Sequence, residues 1–179
     1  FLPAASMEIL SAAAAQGHCP ADVRLLERAV LAKLRRMSRE ELAKLPGISE
    51  GIENRLYEAV STAGTLEELE SRVKTKRYPL TRIRRLIWSA FLDIPAGWEG
   101  RTPPYLRVLG MNGRGREILS AAKAAKVPLL TRVSQRSLLG KEADGLYALE
   151  ARAADLYALA LPTPLPCGTL YTDGLVRVE

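Results

Sequence analysis

The sequence predicts a mainly α-helical fold with a small α/β part at its C-terminal end, and three observations carry that expectation. Apolar residues recur at helical spacing through the first 93 residues, which also hold two helix-start boxes. Residues 93–104 then contain three prolines and two glycines, a composition that interrupts regular structure. Beyond them the pattern becomes strand, glycine-rich turn, helix and strand. The expected organisation is a helical domain over 1–95, a linker at 96–102 and a small α/β domain over 103–179 that ends in a hairpin.

Each element has its own signal. Residues 4–15 are alanine-rich with Met7, Ile9 and Leu10 apolar, and residues 21–37 place Val23, Leu26, Val30, Leu31 and Leu34 on one face, so both read as packing helices. Ser38-Arg-Glu-Glu41 and Thr65-Leu-Glu-Glu68 each match a capping box, in which hydroxyl and carboxylate satisfy two orphan backbone donors. Pro46-Gly47 breaks the chain before a helix over 49–62, a corner that Ser49 is expected to cap. Pro79 suits the first position of a further helix, in which Leu80, Ile83, Leu86, Ile87, Ala90 and Phe91 share one face. Past the linker, residues 105–109 and 127–133 read as strands joined by a helix over 113–125, a βαβ-like unit with parallel strands. A helix over 146–161 ends at Pro162, Pro164 and Pro166, and Asp173-Gly174 fits a two-residue hairpin turn within 170–178.

Composition narrows the function classes. The 179 residues are 47% hydrophobic and 26% charged, which supports a real core and excludes a disordered tail. Lys and Arg total 26 against 20 Asp and Glu, a net charge of +6 that favours nucleic acid or another acidic partner. No apolar run reaches the ~18 residues that span a bilayer, so no membrane partner is expected. Cys19 and Cys167 lie far apart, and the only neighbour at either is His18, which is too close in sequence to share a metal with Cys19. Two free thiols in a reducing cytoplasm are therefore expected, with no metal site.

Candidate functional residues concentrate in Lys74-Thr-Lys-Arg-Tyr-Pro-Leu-Thr-Arg-Ile-Arg-Arg-Leu-Ile-Trp88, where six cations, a tyrosine and a tryptophan surround a helix start. Arg82, Arg85 and Ser89 lie opposite the apolar face, while Arg84 and Trp88, four residues apart, lie at its border. Such a run also describes the solvated face of an ordinary core helix. Residues 45–56 resemble a helix-hairpin-helix, but Ser49 replaces its second glycine and Glu50 and Glu53 oppose a phosphate. Leu109-Gly-Met-Asn-Gly-Arg-Gly115 lacks the Gly-Lys-Ser/Thr of a phosphate loop and reads as a tight turn, with Arg114 and Arg116 as phosphate contacts. His18 is the single histidine, and adjacency to Cys19 prevents the two side chains from facing each other, so no catalytic residue is assigned.

Three segments in order, Ile48-Ser-Glu-Gly-Ile-Glu-Asn-Arg-Leu56, the 74–85 run and Leu106-Arg-Val-Leu-Gly-Met-Asn-Gly-Arg-Gly115, together resemble the C-terminal region of the bacterial tRNA(Met) cytidine acetate ligase family. Its Glu-Gly-x-Glu-Asn-Arg and Lys-x-Lys-Arg-Tyr-x-x-Thr-Arg-Ile motifs fall on Glu50, Gly51, Glu53, Asn54, Arg55, Lys74, Lys76, Arg77, Tyr78, Thr81, Arg82 and Ile83, with Pro79 where the family often has threonine. The resemblance implies a cytoplasmic protein that uses ATP to activate acetate as acetyl-adenylate and transfers acetyl to the wobble cytidine of elongator tRNA(Met). The His-x-Gly-His signature of the family's nucleotidyltransferase-like domain is absent, since Ala15 stands two residues before the only Gly-His. The expectation is therefore a C-terminal tRNA-binding part, without its N-terminal catalytic domain, with no cofactor of its own and no acetate-activating activity alone. ATP belongs to the full-length parent in this reading. The expected RNA-contacting set is Lys74, Lys76, Arg77, Tyr78, Arg82, Arg84, Arg85, Asn54, Arg55, Arg114 and Arg116. The alternatives are a non-enzymatic helix-hairpin-helix-like nucleic-acid-binding module and a protein-interaction domain with a solvated basic helix.

Overall fold

A computed structural model describes residues 2–98, 101–172 and 174–178. The chain divides into two units, residues 1–100 with 157–164, and residues 101–156 with 165–179.

The first unit is helical. It contains α1 (Ala4–Ala15), a 3-10 turn (Val23–Leu26), α2 (Glu27–Arg35), α3 (Arg39–Ala43), α4 (Ile52–Thr62), α5 (Leu66–Val73) and α6 (Leu80–Phe91). Both helix-start boxes act as N-caps. Ser38 Oγ accepts from Glu41 N at 3.2 Å while Glu41 accepts from Ser38 N at 2.7 Å, and Thr65 Oγ1 accepts from Glu68 N at 3.1 Å. The expected helix over 21–37 begins as a 3-10 turn because Asp22 takes the Arg24 amide at 3.0 Å and tightens the first turn. Pro79 stands one position before α6, as its N-cap.

Eighteen residues from α2 to α6, the preceding 3-10 turn and Ala160 form one buried cluster, including Leu34, Leu42, Leu56, Leu69, Ile83 and Ile87. Each fully buried Leu or Ile contributes about 1.5–3 kcal/mol, so this cluster fixes the α6 scaffold. α1 differs from its expected packing role. None of its residues is buried, and Met7, Ile9 and Leu10 are exposed, because its apolar residues follow alanine content rather than a single stripe.

The second unit holds β1 (Leu106–Arg107), β2 (Gly110–Met111), α7 (Gly113–Ala124), β3 (Leu129–Leu130), a 3-10 segment (Val133–Leu139), most of α8 (Lys141–Ala158), α9 (Thr169–Thr172) and β4 (Val176–Arg177). β1 and β3 pair in parallel across α7, with Leu106 opposite Leu129. The terminal hairpin does not form. Leu170 to Thr172 are helical, β4 pairs in parallel with β2, and Asp173 of the expected turn lies outside the described residues. Val176 and Val178 donate to the Leu109 and Met111 carbonyls at 3.1 and 3.0 Å, so an edge distant in sequence displaced the local antiparallel partner. The core here is small: Tyr105, Leu130, Ala143 and Tyr147. Among the described residues, no helix is long and apolar enough to cross a membrane.

Candidate nucleic-acid interface

The basic run enters the structure between α5 and α6, and most of its geometry is set by one residue outside it. Glu50 has φ 64° and is followed by Gly51 at φ 81°, two consecutive left-handed residues before α4. A non-glycine residue there costs stability unless its surroundings hold it. Three side chains do so. Tyr78 Oη donates to the Glu50 carbonyl at 2.6 Å, Arg77 Nε donates to the Glu50 carboxylate at 2.9 Å, and Arg82 approaches the same oxygen at 3.7 Å. The hydrogen bond and charge of Arg77, with Arg82 behind it, hold the Glu50 carboxyl below the usual carboxylate range.

Tyr78 is buried, 5% exposed, with the Arg77 and Arg82 guanidinia 5.9 and 5.6 Å from its ring centre. The place of Tyr78 in the expected RNA-contacting set is corrected. Its ring is part of the unit's core and its hydroxyl is spent on Glu50. Arg82 is only 20% exposed and also donates to Ser49 Oγ at 2.6 Å and the Gly47 carbonyl at 3.3 Å, so it fastens the turn over 47–50 instead of facing solvent. Ser49 accordingly caps no helix, and Gly51 is the N-cap of α4, without a side-chain bond. With the Glu50 carboxylate at the turn and its Gly47 carbonyl bound by Arg82, residues 45–56 do not present the phosphate-binding turn of a helix-hairpin-helix.

Arg84 does not pair with Trp88. It forks onto Glu70 of α5, both bonds 2.9 Å, and that contact raises the guanidinium pKa. Trp88 is half-buried, edge-on to Phe91 with ring centres 5.8 Å apart. Arg55 donates to the Arg72 carbonyl at 2.9 Å, and Asn54 to Glu53 at 3.3 Å. Lys74, Lys76 and Arg85 are exposed and have no carboxylate partner among the described residues. Arg85 lines an open groove of about 590 Å³ with Thr81, Arg82, Trp88 and Ile94. Arg114 and Arg116 lie in the other unit, exposed on the first turn of α7, where Asn112 Oδ1 already accepts from Gly115 N at 2.9 Å.

Sequence reasoning missed a second basic surface. In the second unit, Arg107 of β1, Arg132 after β3 and Arg177 of β4 converge on a cleft. They come from segments that are far apart in the chain, and no local run announces them. The only available signal was that an arginine accompanies each strand candidate. In the same unit, the Tyr105 hydroxyl and one Glu150 carboxylate oxygen are buried without a hydrogen-bond partner, and burial, followed by the Glu150 charge, pushes the Tyr105 phenol up. Among the described residues, no cluster of three metal-ligating side chains occurs, and Cys19 and Cys167 are free thiols.

The chain is mainly helical with small parallel strand pairs, and each of its two units carries exposed cations. The sequence model of the HIGH Nucleotidyl Transferase family matches residues 1–167, and the chain belongs to that family. The tRNA(Met) cytidine acetate ligase of Alkaliphilus metalliredigens is 35% identical over 166 residues, covering 89% of this chain and 39% of that protein. The ligase of Acetivibrio thermocellus is 31% identical over 189 residues, covering 98% of this chain and 44% of that protein. The crystal structure of Thermotoga maritima TmcAL bound with alpha-thio ATP superposes with a TM-score of 0.89 at 26% identity, over 99% of this chain and 47% of that one. The chain thus spans less than half the length of these relatives.

These matches overturn the expectation of a C-terminal region from which the nucleotidyltransferase domain is missing. The family match runs through residues 1–167, while that expectation rested on one absent four-residue signature. The expected separate catalytic partner domain and the absence of any cofactor role in this chain lose their support with it.

Proposed function

We propose that this chain takes part in the ATP-dependent acetylation of a tRNA(Met) cytidine, and that tRNA phosphates lie against Lys74, Lys76 and Arg85 at the α6 entrance. The observation that carries the reading is the division of labour among the cations. Arg77 and Arg82 are committed to Glu50 and Arg84 to Glu70, which leaves Lys74, Lys76 and Arg85 open on a scaffold fixed by the buried Tyr78 and Ile83. Exposed lysines in the connection between α5 and α6, with an arginine on α6, attract a phosphate backbone by releasing its counterions. Similarity to ligases of tRNA(Met) cytidine and to an ATP-analogue-bound relative supports the substrate and the nucleotide. Acetate would displace pyrophosphate from ATP to give acetyl-adenylate, whose acetyl group then passes to the cytidine amine with release of AMP and a proton. Catalytic residues are not assigned, since the chain carries one histidine, His18.

Affinity for a tRNA(Met) transcript, measured beside a duplex DNA of equal charge, tests the reading. Preference for tRNA, lost on Lys76→Ala with Arg85→Ala, is the expected result. Equal affinity for both polymers would return the chain to a general nucleic-acid-binding module.

A further inference from the structure

The arginine-lined cleft of the second unit has the ingredients of a nucleic-acid groove. Two adjoining cavities, about 370 and 560 Å³, share Thr131, Arg132, Val133, Gly174 and Leu175 as walls. Arg107 lines the first and Arg177 the second, so guanidinia are spread along one groove instead of gathered at one point. Arg132 and Arg177 are exposed and have no carboxylate partner among the described residues, while Arg107 lies 5.9 Å from the Tyr147 ring. The described lining residues include no carboxylate.

The position of the groove follows from the strands. Leu106 and Val108 donate to Pro128 and Leu130 on the β3 side, whereas Leu109 and Met111 accept from Val176 and Val178 of β4. Neighbouring residues of an extended run direct their hydrogen bonds to opposite edges, so β3 and β4 flank one short run on its two sides. Thr131 to Val133, just beyond the end of β3, and Met111 at the end of β2 line the second cavity. Open parallel sheets receive ligands at such carboxyl ends, where connections part to either side.

Tyr171, 40% exposed, supplies an aromatic surface beside the arginines. Its ring is held by Tyr147, edge-on at 5.5 Å, and by Arg136 at 5.4 Å, which is itself anchored to Asp144 at 3.1 Å. Tyr147 is buried and donates to the Leu170 carbonyl at 2.8 Å, so the ring cluster is set before any ligand arrives. Spaced guanidinia beside a preset aromatic ring are what single-stranded nucleic acid requires: charge along the backbone, and a flat face for a base.

We infer that this cleft binds a single-stranded segment of RNA, with phosphates on Arg107, Arg132 and Arg177 and a base against Tyr171. The inference rests on the tRNA reading proposed above and adds a second contact region to it.

The test compares five forms of the full chain, wild type, Arg132→Ala with Arg177→Ala, Tyr171→Leu, Tyr171→Phe and Lys76→Ala with Arg85→Ala, for binding to a tRNA(Met) transcript and to ATP. Both arginines are exposed, so their loss leaves the melting temperature unchanged. The double arginine variant is expected to bind tRNA about a hundredfold more weakly, since each of the two lost charged hydrogen bonds is worth about tenfold, and to lower the log-log salt slope by about 1.4 to 1.8. Tyr171→Leu weakens tRNA binding and Tyr171→Phe retains it, with ATP affinity unaffected throughout. If tRNA affinity survives the double arginine change but falls on Lys76→Ala with Arg85→Ala, the cleft is not an RNA site and the proposed function stands. Loss of ATP binding alone would make the cleft a mononucleotide site and overturn the inference. No tRNA binding by any form would remove both readings.

Discussion

The α6 entrance and the second unit's cleft reach a similar number of open cations by opposite routes. At the entrance, six cations lie within residues 74–85, yet the turn before α4 supplies Glu50 and α5 supplies Glu70 to bind Arg77, Arg82 and Arg84. In the cleft, single arginines from β1, β4 and the segment after β3 meet in space without a carboxylate among the described lining residues. Charge density along a chain is therefore a poor measure of charge offered to a ligand. Part of a dense run is consumed by the folding that holds the run in place.

The largest expected effect concerns that structural share. Tyr78→Ala removes a buried aromatic from an eighteen-residue cluster and releases the left-handed Glu50, so unfolding free energy should fall by about 3–5 kcal/mol. Urea denaturation measures it. Tyr78→Phe keeps the ring and loses one hydrogen bond, worth about 1 kcal/mol. A stable Tyr78→Ala protein with weakened tRNA binding would restore the RNA-contacting role that its burial argues against.

Next in size is the triple change Lys74→Ala, Lys76→Ala and Arg85→Ala, expected to lower the salt slope of tRNA binding by about 2.1 to 2.7, three contacts at 0.7–0.9 each. Arg84→Ala is its control. The Arg84 fork onto Glu70 means that its removal should barely move the slope, and an equal loss from both variants would show that the pairing opens when RNA arrives.

The contrast between the two regions also explains what the sequence disclosed. Elements whose signals are local were legible: the Ser38 and Thr65 caps, the buried face of α6 and the strand–turn–helix pattern from β1 through α7 to β3. Elements fixed by distant partners were not. The 170–178 segment took the β2 edge rather than folding on itself, α1 left its apolar residues unburied, and Tyr78 found the Glu50 carbonyl 28 positions away. The same limit applied to the candidate site. A run of six cations is visible in one window, but Glu50 as their organiser and the convergence of Arg107, Arg132 and Arg177 exist only after tertiary packing.

The smallest predicted effect separates the two uses of charge at the entrance. Glu50→Gln keeps the shape of the side chain and removes its charge, so Arg77 and Arg82 no longer face an anion. Affinity for tRNA should rise a few-fold, with a steeper salt slope, because the exposed Arg77 guanidinium then becomes available to phosphates while Arg82 stays on Ser49 and Gly47. Stability should fall slightly at neutral pH, as expected for an exposed ion pair. The sign of its pH dependence follows from the carboxyl lying below the usual range in the folded chain, chiefly through the Arg77 hydrogen bond. A depressed carboxylate stabilises above the ordinary carboxylate pKa of about 4.3, and that contribution vanishes as pH falls through the folded value. The melting temperatures of wild type and Glu50→Gln should therefore differ at pH 7 and converge well below pH ~4, where the wild-type carboxyl is protonated and resembles the amide. A gap of constant size down to acid pH would mean that Glu50 acts through shape alone, and the entrance would lose the electrostatic distinction that sets it apart from the cleft.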